Sequence, residues 1–269
     1  MQVRGLLLDV EGVLVADKRY RAVPSAVEFV AAARAAGCPL RLITNNTTDD
    51  RDTIIAKLHA AGFDFAPDEL HTCTAVAADY LHQHGARRCL VLGTPNLRDI
   101  FARSGFEPVE SSEVDAVIVG LDTELTFERL RLACDALVSH GALFVALHRN
   151  RLYPDALGRA APSVGAIVAA LEYATQITPA VMGKPSQEYF QRVLDDLGTG
   201  PQGVLLVSDD PFSDLAGGRQ MGLLTAFVLS GKYRSRAVLE KLPPEQQPDL
   251  VAERIGDLLT DGDVTLGDG

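Results

Sequence analysis

Residues 5–14 read GLLLDVEGVL. Leu6, Leu7 and Leu8 form a short apolar run suited to a strand buried on both faces, and Asp9 follows at once. A carboxylate at the end of a buried strand is too costly to serve packing, so a cation or hydrogen bonds must meet it. Glu11 stands two residues on, and Gly12 lets the backbone turn tightly. A solvated turn explains this stretch taken alone; an acid, a spacer, an acid and a glycine is also what metal-assisted phosphoryl transfer needs.

Three further strand ends carry reactive groups. Residues 39–43 run into Thr44-Asn45-Asn46-Thr47-Thr48, a cluster that suits helix capping and equally a phosphate held at a helix N-terminus. Met182-Gly183-Lys184-Pro185 presents a lysine at a strand end, because the proline favours an extended residue before it and then starts a helix. The apolar run 204–207 opens into Ser208-Asp209-Asp210-Pro211-Phe212-Ser213-Asp214, whose three carboxylates repel one another unless a cation offsets them. In a doubly wound sheet, ligands bind outside the carboxyl ends of the strands. If these strands share one parallel sheet, Asp9, Thr44, Lys184 and Asp209 converge. Acids for a metal, one hydroxyl and one ammonium suit phosphoryl transfer, where catalysis is mostly positioning and charge neutralisation.

The elements that must position these groups alternate between strand and helix. A helix follows Pro24, with Ser25 and Glu28 spaced as a capping box. Another runs through Ile54 and Leu58 to Gly62. From about Leu70 a second α/β set is expected, with helices over 74–84, 97–104, 127–140 and 163–174 and strands over 88–92, 115–120 and 142–147. It includes the polar loop His148-Arg149-Asn150-Arg151. The strand-and-acid grammar resumes near residue 180, so the set reads as an insertion: 1–78 with 179–269 as one domain, 79–178 as the other. A strand over 223–228 then ends in the basic loop Ser230-Gly231-Lys232-Tyr233-Arg234. A last helix is expected over 250–259, with a frayed tail from Asp261.

Of the 269 residues, 47% are hydrophobic and 23% charged, the proportions of an ordinary globular protein. A net charge of -11 argues against a nucleic-acid surface and requires a local cation for any anionic substrate. No stretch reads as a signal peptide, and no apolar run approaches the roughly 20 residues that span a bilayer, so no membrane partner and a cytoplasmic location are expected. Cys38, Cys73, Cys89 and Cys134 lack CxxC spacing and read as reduced, buried thiols.

LLLDVEGVL, LITNNTT, VMGKPSQEYF and VSDDPFSDLAGG, taken in this order, resemble the haloacid dehalogenase superfamily of aspartate-nucleophile phosphatases. Within it, the chain looks closest to the NagD-like group, and the likeness extends over nearly its whole length. The resemblance implies an α/β fold with a Rossmann-like, doubly wound parallel-sheet core and an inserted α/β cap of the C2 type. It also implies a phosphatase acting on a small phosphorylated substrate with Mg²⁺ as cofactor, and, by analogy, a homodimer formed through the cap. Asp9 would be the nucleophile. Glu11 would protonate the leaving group and activate water, with its backbone carbonyl on the metal. Thr44 would bond the transferring phosphoryl group, with Gly12, Asn45 and Asn46 on the phosphate side. Lys184 would pair with Asp9 and the phosphate. Asp209 would hold Mg²⁺ with Asp9, while Asp210 and Asp214 are further metal-side acids. His148 and Arg149 are the cap candidates for substrate contact. Two positions depart from the family pattern. Glu11 is one methylene longer than the usual aspartate, and Ser208 replaces a glycine with a hydroxymethyl group expected to crowd the metal side. Alternatives on the same scaffold are a catalytically weak phospho-ligand-binding or regulatory protein, a dehalogenase and a phosphomutase.

Overall fold

The computed structural model describes every residue except Lys18, 155–158 and 268–269. In chain order its strands and helices are β1 (Gln2–Val3), β2 (Gly5–Asp9), α1 (Ala26–Ala35), β3 (Leu40–Thr44), α2 (Arg51–Ala60), β4 (Leu70–Thr72) and α3 (Cys73–Gln83). Then come β5 (Arg88–Leu92), α4 (Pro95–Arg103), β6 (Glu107–Pro108), β7 (Ala116–Val119), α5 (Phe127–Ser139), β8 (Leu143–Ala146), β9 (Leu152–Pro154), β10 (Ala160–Pro162), α6 (Val164–Thr175) and β11 (Ala180–Val181). The chain closes with α7 (Gln187–Leu197), β12 (Val204–Ser208), α8 (Ala216–Gln220), β13 (Leu224–Val228), β14 (Leu250–Ala252), α9 (Asp257–Thr260) and β15 (Thr265–Leu266).

Two compact units divide these elements. The first comprises 1–44, 51–71 and 184–269, and it contains the six-stranded sheet β14-β13-β12-β2-β3-β4. Its central strands are parallel, and every residue of β2 and of β12 is buried. Each buried leucine of β2 contributes on the order of 2 kcal/mol, which is why an uninterrupted apolar run sits at the sheet's centre. Register fixes the site. Leu8 pairs with Val207 and Asp9 with Ile43, so Asp9, Ser208 and Thr44 reach the carboxyl edge in step. A core of Leu6, Leu8, Phe29, Leu42, Leu58 and Val207 packs one face of this sheet.

The second unit comprises 45–50 and 72–183. Its sheet has the order β11-β8-β7-β5-β6, with all neighbours parallel, and α5 and α6 pack together over Leu90, Val117, Ala133 and Val168. β9 and β10 form a separate antiparallel pair. Both sheets carry helical crossovers between parallel strands, so the fold is the expected α/β class.

Five expectations are corrected. The strand before Lys184 does not share the sheet that carries Asp9, Thr44 and Asp209: β11 pairs with β8 in the five-stranded sheet, and Lys184 is the first residue after it to belong to the first unit. Ser25 lies in the left-handed region at φ 66° and makes no side-chain cap, so the capping box with Glu28 does not form. Residues 250–259 are not one helix: Leu250–Ala252 pairs with β13 as an edge strand, and only Asp257–Thr260 is helical. The described part of the tail is held rather than frayed, since Thr265 and Leu266 pair in parallel with Gln2 and Val3. Ser208 does not stand idle against the metal side; its hydroxyl is bonded within the acid cluster described next.

Candidate active site

The first unit brings Asp9, Lys184, Ser208, Asp209 and Asp214 into one buried cluster. Asp9 ends β2 with its carboxylate aimed past the sheet edge. Its Oδ1 accepts from the Val10 N–H at 2.8 Å and from Lys184 Nζ at 2.8 Å. Lys184 Nζ also donates to Asp214 Oδ2 at 2.7 Å, so one ammonium bridges two acids. The helix that begins after Ser186, whose hydroxyl caps Tyr189 N, keeps the lysine at this edge. Lys184 is only 2% exposed, and a lone cation there would be very unfavourable. Burial lowers its pKa, but Asp214 and Asp9 outweigh burial and hold the group charged, with a pKa above the ordinary lysine value.

Asp209 follows β12. Burial raises its pKa to about 6, offset in part by a hydrogen bond from the Lys232 N–H to Oδ2 at 2.5 Å. Burial likewise pushes Asp9 well above the usual carboxylate range; Lys184 pulls it down, while Asp214 and Asp209 push it further up. Two acids thus share one ammonium, with Asp209 a third acid in the same buried cluster. Ser208 Oγ donates to Asp214 Oδ2 at 2.9 Å, lies 3.4 Å from Asp9 Oδ2, and accepts from the Asp210 N–H at 3.1 Å. This hydroxyl ties β12 to the acids at the end of β2.

Thr44 is buried at the end of β3, and its N–H donates to the Tyr189 hydroxyl at 3.2 Å; that hydroxyl donates to the His71 carbonyl at 2.7 Å. Glu11, partly buried, lies on the loop beyond β2, where it bridges to Val15. Gly12 has φ 84°, and any side chain there would run into the Asp209 carboxylate, so glycine is required twice over. Asp210 is occupied elsewhere: Oδ1 caps the turn by accepting from Phe212 N and Ser213 N, and Oδ2 pairs with Lys232 Nζ at 2.7 Å.

The remaining predicted residues belong to the second unit. Asn46 Oδ1 accepts from Thr48 N at 2.8 Å and from Asp49 N at 2.9 Å, closing the turn before α2, and Asn45 lies beside Gly183. His148 is buried, with Nδ1 accepting from the Asn150 N–H at 3.2 Å. Arg149 makes a two-bonded pair with Glu172 at 2.9 and 2.6 Å. Sequence reasoning missed Tyr189, the bonding role of Ser208, and Lys232. For Lys232 a signal was present, namely a Gly-Lys pair just beyond a strand that neighbours β12.

Among the described residues no three His, Cys, Asp or Glu side chains form a group that could hold a metal by themselves. Asp9 and Asp209 are nevertheless two hard oxygen donors in a pocket with more acids than bases, and Mg²⁺ binds through one or two carboxylates while keeping most of its waters. Asp214 and Asp9 share Lys184, and Asp210 is engaged by Lys232 and by the turn it caps. The set fits Mg²⁺ better than a metal that demands a full cage of side chains.

A parallel sheet whose carboxyl edge collects an acid loop, a threonine, a lysine and a second acid loop defines a class: haloacid dehalogenase-type α/β hydrolases. Comparison with known proteins agrees. Residues 6–107 match a haloacid dehalogenase-like hydrolase family model and 181–258 a HAD-hydrolase-like one. Human haloacid dehalogenase-like hydrolase domain-containing protein 2 is 30% identical over 90% of each chain. A p-nitrophenyl phosphatase from Archaeoglobus fulgidus has TM-score 0.86 and 27% identity, covering 97% of this chain and 100% of its own. NagD from E. coli K-12 has TM-score 0.80 and 25% identity, covering 96% and 98%. The chain belongs to the haloacid dehalogenase-like hydrolase family, among its NagD-like phosphatases. It is an enzyme of the hydrolase class, and no helix among its described residues is long and apolar enough to cross a membrane.

Proposed function

We propose that this chain is a Mg²⁺-dependent phosphatase that hydrolyses a small phosphorylated metabolite through an aspartyl-phosphate on Asp9. The observation that carries the reading is Lys184, clamped at 2.8 Å to Asp9 and 2.7 Å to Asp214 in a buried cluster that also holds Asp209. With Oδ1 anchored by Val10 N and Lys184, the carboxylate is oriented for in-line attack on phosphorus. The bond to the leaving oxygen breaks as Glu11 delivers a proton to it, and Glu11 then takes a proton from the water that hydrolyses the acyl phosphate. Thr44, placed by Tyr189, bonds the transferring oxygens, with Gly12, Asn45 and Asn46 completing the phosphate side. Asp9, Asp209 and the Glu11 carbonyl would hold Mg²⁺, which supplies charge neutralisation to the phosphoryl group. Asp214 would hold Lys184 in place, and Asp210 would brace the turn.

The reading takes 1–78 and 179–269 as the catalytic core and 79–178 as a specificity cap; a second unit with its own sheet supports the division into two, although that sheet extends to β11 at 180–181. Of the 148–151 loop, His148 and Arg149 are proposed as the cap's substrate contacts, with Arg149 held by Glu172. A cytoplasmic homodimer is proposed through the cap helices, where Phe127, Val138 and Tyr173 are 84%, 63% and 86% exposed; sedimentation would measure its mass.

The test is phosphate release from p-nitrophenyl phosphate with and without Mg²⁺. Asp9→Asn should lower turnover by about 10⁴-fold or more while leaving the melting temperature within a few degrees. Retained turnover would remove Asp9 as nucleophile. Ligand uptake without product in the unaltered chain would favour a phospho-ligand-binding protein instead.

A further inference from the structure

The loop after β13, Ser230-Gly231-Lys232-Tyr233, touches both acid-bearing loops of the first unit. Ser230 Oγ donates to the Gly12 carbonyl at 2.6 Å, fastening it to the turn that follows β2. One residue on, Gly231 lies so close that a Cβ added to it would meet the Gly12 Cα at 2.6 Å and overlap the Asp209 carboxylate. Lys232 then contributes twice. Its N–H fixes Asp209 Oδ2 at 2.5 Å, and its ammonium, 2.7 Å from Asp210 Oδ2, grips the neighbouring acid. Tyr233 completes the contact, with its ring 5.1 Å from the Lys232 ammonium and edge-to-face with Phe212 at 5.2 Å. Four successive residues thus hold the ends of β2 and β12 in one arrangement.

This loop supplies no nucleophile and no acid of its own, and it is not needed to cover the sheet. What it does geometrically is hold one oxygen of Asp209 through the Lys232 N–H and press against the carboxylate at Gly231, which limits its rotation. A carboxylate that can rotate loses entropy when it takes up a cation; one already fixed does not. We propose that residues 230–233 form a latch that preorganises Asp209 for cation uptake, with Lys232 as a positioning residue. The proposal rests on the reading of Asp209 as a metal ligand.

Two roles for Lys232 differ in sign. A lysine acting only as a nearby positive charge repels a divalent cation, so removing it tightens binding. A lysine that holds the acid turn does the opposite. Lys232 is partly solvent-exposed, with 40% of its side chain accessible, so its replacement does not put folding at stake. The experiment is Mn²⁺ binding to the full chain, followed by electron paramagnetic resonance and calorimetry without substrate. Lys232→Met should weaken Mn²⁺ by about tenfold or more, as expected for loss of a group that orients a ligand. Lys232→Arg, which keeps a donor for Asp210, should recover most of that loss. Gly231→Ala, which forces the carboxylate aside, should weaken binding at least as far. At saturating Mg²⁺ the KM for p-nitrophenyl phosphate should stay unchanged in Lys232→Met. If the unaltered chain takes up no Mn²⁺, the metal reading of Asp209 falls and the latch with it. If that chain binds and Lys232→Met binds as well or better, the latch alone is overturned.

Discussion

The carboxyl edges of the two sheets are built by the same topological rule and end in opposite electrostatic states. At the six-stranded sheet, Asp9 and Asp214 share the ammonium of Lys184, Asp209 lies in the same buried cluster, and burial holds the pKa of Asp9 and of Asp209 above normal. At the five-stranded sheet, a cavity of about 440 Å³ is lined by charged groups that include Arg98, Glu110, Asp122, Glu124 and Arg129, and Glu110 and Asp122 are paired with the arginines. Arg129 bonds Asp122, both oxygens of Glu110 and the Val91 carbonyl. At this edge the buried Asp122 has an arginine of its own, whereas at the first edge two buried acids divide one lysine. A crevice at strand ends is only an opportunity; the surplus of buried acid at the first edge is what supports the proposed cation site there.

The contrast can be broken most severely at Lys184. Lys184→Met leaves Asp9 and Asp214 buried without their cation, so urea denaturation should show a loss of about 3–5 kcal/mol and turnover should fall by about 10³-fold. A variant of normal stability would show that the acids are not under strain. At the other edge, Arg129→Met should cost about 3 kcal/mol by stranding Asp122. Replacing both partners, Arg129→Met with Asp122→Leu, should return stability to within about 1 kcal/mol. If the double replacement is as damaging as the single one, the second edge is not simply a balanced pair.

The smallest effect concerns Cys89 in β5, whose thiol is raised from an ordinary 9.0 to about 12 by burial, with Asp115 and Glu107 adding to it. The folded chain keeps this proton where the unfolded chain releases it. The associated stability is intact below pH 9 and drains away as pH rises from 9 towards 12. Unfolding midpoints of the unaltered chain and Cys89→Ala, compared at pH 8 and pH 10.5, should differ in slope by this contribution. Parallel slopes would show that the thiol is not held protonated.

The buried runs 6–8 and 204–207 were legible because an apolar stretch ending in an acid is rare without a reason, and the order of motifs named the family. The edge strand Leu250–Ala252 was not, since three apolar residues fit the start of a helix as well; its pairing with Ala226 to Val228 decides. Ser25 looked like a cap, but its backbone geometry put the hydroxyl out of reach. Ser208 was read as crowding when it proved to be a bond donor, because whether a hydroxyl crowds or binds depends on acceptors 6 and 199 residues away. Lys232 was half legible: the basic loop after a strand stood out, but its partners Asp209 and Asp210 lie on a neighbouring strand's loop, which only the fold brings beside it.

The central strand β2 joins β3 within a few dozen residues, yet its other neighbour, β12, is supplied by a stretch that begins only at Val204. During synthesis the hydrogen-bonding groups along that side of β2 must wait while the second sheet is made, which is a long-range closure of the slow kind. Ribosome stalling or truncation anywhere before β12 would therefore yield a chain with a bare, leucine-rich strand edge, prone to self-association. Such fragments would be clients for chaperones and proteases rather than partly working enzymes.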